Sequence, residues 1–270
     1  MLVAEEEFMR PNRVKMTVRP FGKRRPLFFG AALIFAALGG AAEAKCQDGP
    51  GPGVDWAGCS KARLMLNRED LSGANFERSL LTLSDFGGSK MTGANLRETE
   101  ISRTRFEKAE LTQVDFTKAL GWRANFAEAV LVEANFASAD MNRSNFAQAR
   151  ASRANFQKAE LNRSDFSGAN LEGAVMTKAE LARVIFQHAR LSGVDFSYSN
   201  LSRAQLQGAV LQDVTLAGSY LYLTQLAGVD LSAVKGLTQA QIDIACGDAQ
   251  TRLPADLTPP RTWPCGSDDD

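Results

Sequence analysis

From Leu66 to Leu231 every fifth residue is a large apolar side chain, and the phase never slips. The positions run Leu66, Leu71, Phe76, Leu81, Phe86, Met91 and onward to Leu226 and Leu231; only Gly121 and Ala151 break the rule. Two residues before each such centre, from Ala74 to Val229, stands Ala, Ser, Thr or Val. A period of five fits neither a helix, which repeats at 3.6, nor a strand, which repeats at 2. It demands a repeat architecture. One large and one small residue per step point inward, and the other three point out. The small residue belongs where the chain turns and the interior narrows, because a leucine there would overpack by about 1–3 kcal/mol.

A longer period lies over the short one. Phe86, Phe106, Phe126, Phe146, Phe166 and Phe186 form one column at every twentieth residue. Ten residues out of step runs a second: Phe76, Leu96, Phe116, Phe136, Phe156, Met176 and Phe196. On the surface, Arg103, Arg123, Arg143, Arg163, Arg183 and Arg203 recur at twenty and not at ten, which fixes four steps per coil. Blocks such as Ala74-Asn75-Phe76-Glu77-Arg78 and Ala134-Asn135-Phe136-Ala137-Ser138 resemble the A-[DN]-[LF]-x-x unit of the pentapeptide-repeat family. That resemblance implies an all-β fold, a right-handed quadrilateral parallel β-helix. About eight coils over 64–235, stacked at the strand spacing of ~4.8 Å, predict a rod of roughly 40 Å. Gly121 should leave a hole in its column, which Leu120 or Trp122 is expected to fill by folding inward.

The ends read differently. Residues 1–44 are expected to be a secretory signal: basic Lys23-Arg24-Arg25, an apolar run from Leu27 to Ala42, and Ala42-Glu43-Ala44 for cleavage. Residues 1–15 read as an upstream extension before Met16, and a retained N-terminal membrane anchor is the alternative. Export predicts a periplasmic or secreted protein. Residues 45–63 read as an irregular lead-in and cap, and 236–270 as a capping helix with a Thr238 start, a Gly247 stop and a Pro-rich tail. The acidic end, Ser267 to Asp270, is expected to be disordered. Cys46 and Cys59 lie before the repeats and Cys246 and Cys265 after them. An even count in an exported chain favours disulfides. A rod separates the two pairs too far for exchange, so the expected pairs are Cys46–Cys59 and Cys246–Cys265.

Little in the sequence suggests catalysis. The sole histidine, His188, lies at an ordinary outward position, and no phosphate loop, zinc signature or calcium loop is present. The chain therefore reads as non-enzymatic, with no cofactor and no metal. Two surface features remain. The arginine column is a candidate binding face, set against a salt-bridged lattice with Glu100, Asp140, Glu160 and Glu180, each three residues before an arginine. Tyr220, Tyr222 and Leu223 form a candidate interface on the last coil, covered either by the chain's own tail or by a second copy in a homodimer.

The family's best-understood members mimic duplex DNA and modulate topoisomerases, a role that requires a strongly acidic rod. Residues 61–235 instead carry 21 Lys and Arg against 19 Asp and Glu. The expected role is an exported scaffold binding a protein or envelope polymer through its flat faces, with no nucleic-acid partner; the DNA mimic is the alternative.

Overall fold

The computed structural model describes residues 45–265. The expected signal over 1–44 and the acidic end Ser267–Asp270 lie outside the described residues. From Gly51 onward the chain winds into a four-sided parallel β-helix. Each outward residue bridges the residue twenty positions on: Asp55 to Asn75, Ser60 to Leu80, Met65 to Asp85, Asp70 to Lys90, and so in unbroken succession to Gln205 and Gln225.

Each step is one flat side and one corner, and its backbone groups are almost fully paired. Around Phe146, the Asn145 N–H donates to the previous coil at Ala124 O (2.9 Å), while Phe146 N–H donates to the next at Asp165 O (2.7 Å). Ala149 N–H closes the corner on Phe146 O at 3.0 Å. Gln148 N–H also donates to the next coil, at Ser167 O (2.9 Å), and the fifth amide, Ala147, donates to the Asn145 side chain at 2.9 Å. This last bond explains why Asn and Asp favour the position before the centre: their short side chains satisfy the turn amide that the ladder cannot reach.

The corner requires one residue with positive φ. Every fifth residue from Gly53 to Gly228 adopts it, at φ between 54° and 72°. This fits a type II turn with the left-handed residue third. Glycine holds some of these corners, such as Gly193, but arginine, lysine and glutamate hold many others. A non-glycine residue there costs about 1–2 kcal/mol, offset because the same residue donates to the next coil, as Arg143 N–H does to Asn162 O at 2.9 Å.

Inside, the two phenylalanine columns interlock. Phe146 stacks on Phe126 and Phe166 within its own column, at centroid distances of 4.8 and 4.5 Å. It meets Phe136 and Phe156 of the other column edge-on, at 5.7 and 5.9 Å. Both arrangements suit the quadrupole of the ring. The small residues two positions earlier are buried as the period predicts, apart from half-buried Ala209.

Several expectations are corrected. The helix begins at Gly51, not 64, so 45–63 is not an irregular lead-in and the rod has just over nine coils. Gly51 and Lys61 stand at centre positions and hide this first coil from a search for apolar residues. Trp56 fills the centre between them, edge-on to Phe76 at 5.7 Å, with its indole N–H on Asp48 O at 3.1 Å. Cys59 is therefore inside the solenoid, at an inward position, and joins Cys46 with Cα atoms 5.7 Å apart.

At the other end the short helix α1 (Gln239–Asp243) starts at Thr238 as expected, but it stops at Ile244 and not at Gly247. The Gln241 amide crosses onto the last coil and donates to Leu216 O and Ser219 O at 2.8 and 2.9 Å, closing carbonyls that would otherwise face an open end. The chain then rejoins the ladder, pairing Gln225 with Cys246 and Asp230 with Arg252. Cys246 and Cys265 are bonded with Cα atoms 5.5 Å apart. The tail folds back as expected, with Trp263 donating to Ala245 O at 2.7 Å.

Gly121 leaves no hole for its neighbours. Met141, one coil on in the same column, occupies the space where a Cβ would stand, with Cε within 2.9 Å of that point and Ile101 on the other side. Leu120 stays 52% exposed. Methionine suits the task because its unbranched thioether bends into irregular space. Gly121→Leu is therefore expected to destabilise the rod by about 1–3 kcal/mol through overpacking. Adding Met141→Ala should recover part of the loss, and urea denaturation of the single and double variants measures the coupling.

Candidate interaction edge

The six arginines expected on a flat face stand instead along one corner of the rod. Each is the left-handed turn residue, with φ from 57° to 60°. Arg63 begins the same column two coils earlier, and Leu83 separates it from Arg103. Arg103 through Arg183 are exposed and Arg203 is half-buried.

The salt-bridged lattice does not form. Among the described residues, no carboxylate lies within 4 Å of any of the six guanidinium groups. Asparagine amides bind three of the four acids instead. Asn142 donates to Asp140 at 2.8 Å and to Glu160 at 3.1 Å, and Asn200 donates to Glu180 at 2.9 Å. Asn142 in turn accepts the Asn162 N–H at 2.8 Å, which ties neighbouring coils together beside the arginines. Elsewhere on the rod arginines do pair. Arg78 holds Glu98 below the usual carboxylate range at 2.9 Å. Gln113 and Arg153 together do the same for Glu133.

Trp122 flanks the corner, half-buried, one residue before Arg123. The Arg123 guanidinium lies 4.2 Å from its ring centroid and that of Arg103 lies 5.3 Å away. Two of the six charges are thereby oriented by cation–π contact. Sequence reasoning assigned Trp122 only to the Gly121 hole; its place next to the arginine column was the signal available.

At the far end of the same corner, Tyr220 and Tyr222 stack at 6.1 Å and remain 52% and 43% exposed. The tail does not cover them. Leu223 is half-buried, its N–H bonded to Ile244 O at 2.7 Å. On a different side the ladder lapses between Val210 and Asp230, leaving a cleft of about 370 Å³ lined by Gly208, Val210, Leu211, Asp230 and Ala233. Among the described residues no cluster of His, Cys, Asp and Glu is placed to hold a metal ion, and no helix is long and apolar enough to cross a membrane. His188 is exposed on a corner beside Gly208.

The comparisons with known proteins agree with this geometry. A family model for the pentapeptide repeat region matches residues 121–196, and one for pentapeptide repeats in eight copies matches 70–97, 80–117 and 199–235. Together they cover more than half of the chain. It is a pentapeptide-repeat protein. No curated protein sequence matches it. Among solved structures, this pentapeptide-repeat chain resembles HetL, a protein involved in heterocyst differentiation regulation from the cyanobacterium Nostoc sp. strain PCC 7120. The two are 24% identical over 76% of this chain and 87% of HetL, with a TM-score of 0.68. That likeness carries the fold, a right-handed quadrilateral β-helix. Full-length QnrB1, a plasmid-mediated fluoroquinolone resistance protein, is 21% identical over 70% of this chain and 94% of its own, with a TM-score of 0.28. A pentapeptide repeat protein of the Arabidopsis thaliana thylakoid lumen is 23% identical over 47% of this chain and 79% of its own, with a TM-score of 0.29. Pentapeptide-repeat proteins are in general structural or interaction proteins.

Proposed function

We propose that this chain is a non-catalytic interaction scaffold that works outside the cytoplasm. The observation that carries the reading is the pair of disulfides, one closing each end of a solenoid with no catalytic loop inserted between them. Such bonds persist in oxidising compartments and are rare in the bacterial cytosol. A rod whose corners follow one another at fixed five-residue steps offers partners a surface that changes little on binding. The near-neutral charge of the repeats and the unpaired arginine corner favour this reading over a mimic of duplex DNA, whose surface must be strongly acidic.

Intact mass measured without reduction, on native protein from fractionated cells, tests it. The expected species is periplasmic or secreted, begins at Lys45, and is lighter than the reduced chain by the four hydrogens of two disulfides. A cytosolic, uncleaved chain with free thiols would overturn export and restore the DNA-mimic reading.

A further inference from the structure

We propose that the side of the rod ending in the arginine corner is a self-complementary face on which a second copy of this chain docks. The two rods lie side by side and point the same way. The inference goes beyond the scaffold reading and does not depend on the compartment in which the protein works.

A coil-by-coil match between two positions carries it. On this side each coil presents a bridging residue and, three residues later, a corner residue. The bridging residues stand in one unbroken file, Leu80 to Glu100, Glu100 to Leu120, and on through Asp140, Glu160, Glu180 and Asn200 to Tyr220. Of the six coils whose corners run from Arg103 to Arg203, four carry an acid in that file: Glu100, Asp140, Glu160 and Glu180. Where the corner is leucine instead, at Leu83 and Leu223, the file holds Leu80 and Tyr220. Charge goes with countercharge and apolar with apolar, yet within one chain the charged members do not meet. Among the described residues no carboxylate reaches these arginines. The asparagines bind one oxygen each of Asp140, Glu160 and Glu180, and the other oxygen of each makes no hydrogen bond among the described residues.

Symmetry supplies the occupant. A two-fold axis along the rod, over the column of Asn142 and Asn162, sets each coil opposite the same coil of its copy and exchanges the two files. Glu160 of one copy then faces Arg163 of the other, and the reverse. Leu80 faces Leu83 and Tyr220 faces Leu223 in the same way. Antiparallel rods fail, because an axis across the rod leaves each file facing itself, acid on acid and arginine on arginine. Like charges so placed repel.

The aromatic residues agree. Trp122 and the exposed Tyr222 lie in the column under the axis, so each ring meets its own copy, a pairing aromatic rings favour. Coil 120 is the exception to the match, since Leu120 shares it with Arg123; that guanidinium already lies over Trp122, 4.2 Å from the ring centroid. The face is small. Seven coil spacings of ~4.8 Å by three residues at ~3.3 Å give roughly 350 Å² of flat area per copy before side-chain relief is counted. A standard interface takes about 800 Å² of accessible surface from each partner, so this dimer forms reversibly with protein concentration.

Sedimentation velocity tests it on the oxidised chain from Lys45 onward, from micromolar to millimolar protein at low salt. A monomer–dimer equilibrium is expected, shifted towards monomer by high salt, which screens exposed pairs. Arg143→Glu with Arg163→Glu should weaken the dimer about 30-fold or more, because each change acts twice across the axis and turns attraction into repulsion. The thermal midpoint should not move. Adding Asp140→Arg and Glu160→Arg to that variant reverses both coils, restores their match and should bring affinity back to within about three-fold of the wild type. Arg150→Glu with Arg190→Glu, the same charge change two sides away, should stay within about two-fold. A chain that remains monomeric at millimolar concentration would overturn the proposal. So would a dimer that Arg143→Glu with Arg163→Glu leaves intact, since the contact would then lie elsewhere. Failure of the reversed coils to restore association would overturn the parallel, in-register arrangement. None of these readouts depends on export, so failure here and failure of the scaffold reading are separable.

Discussion

Phe146→Asp is expected to abolish the cooperative fold. Phe146 is fully buried, stacked between Phe126 and Phe166 and touched edge-on by Phe136 and Phe156. Removing a buried phenylalanine alone costs about 3–5 kcal/mol. The carboxylate adds several kcal/mol, because the four rings around it provide no hydrogen-bond donor and no countercharge. Together these approach the whole stability of a typical domain, about 5–15 kcal/mol. Position adds to the effect. In a solenoid each coil is held by its neighbours, and a defect at mid-rod deprives both halves of one. Phe146→Leu, which keeps an apolar side chain, should fold with a loss nearer 1.5 kcal/mol. Circular dichroism through a urea titration distinguishes the outcomes. A soluble Phe146→Asp protein with the wild-type midpoint would show that the side chain does not face the core.

The second large effect is expected at the C-terminal cap. Replacing Cys246 and Cys265 together with serine removes a bridge across 19 residues, for which chain entropy predicts a loss of about 3 kcal/mol. The loss should be local at first. Cys246 supplies the carbonyl that receives Leu226 N–H at 2.6 Å, and the tail it anchors brings Trp263 onto Ala245. Without the bridge the tail detaches, and Leu221, Leu226 and Leu231, all nearly fully buried, lose their lid. The expected signature is an early urea transition that the native protein lacks, with new protease cleavage in the segment from Asp248 to Trp263. A single transition at the wild-type midpoint would mean that Gln241 and Ile242 of α1 cap the rod without help.

What was legible in the sequence follows from what a period reports. Burial every five residues, columns every twenty and small residues at the narrowing are all consequences of one repeated backbone step, and each was present in the residues. The disulfide pairing followed from the length of the rod. The first coil was not legible, because three of its four centres are Gly51, Trp56 and Lys61 and only one of those three is apolar; the pattern became visible at the fourth, Leu66. The filling of the Gly121 gap by Met141 depends on the bend of a thioether one coil away, which spacing does not encode. The arginine corner shows the same limit more sharply. Spacing placed Glu100, Asp140, Glu160 and Glu180 near the arginines and suggested ion pairs. For Asp140, Glu160 and Glu180 the outcome depended on a competition for the carboxylates, won by Asn142 and Asn200, whose short side chains need less ordering. The tyrosines were expected under the tail, but the tail follows the sheet ladder and the disulfide and passes them by.

The regularity of the corner has a consequence for how such a chain can change length. Because every side repeats after twenty residues, a deletion or insertion of one whole coil leaves each column in place. It merely shortens or extends the file of arginines by one. A change of five residues, though smaller, turns everything downstream by a quarter circle. The phenylalanine columns would then continue into leucine, and the arginines would leave their corner for the next one. Length in this architecture is quantised: the number of coils, and with it the valence of the edge, can vary in whole units while the contact chemistry at each rung stays the same.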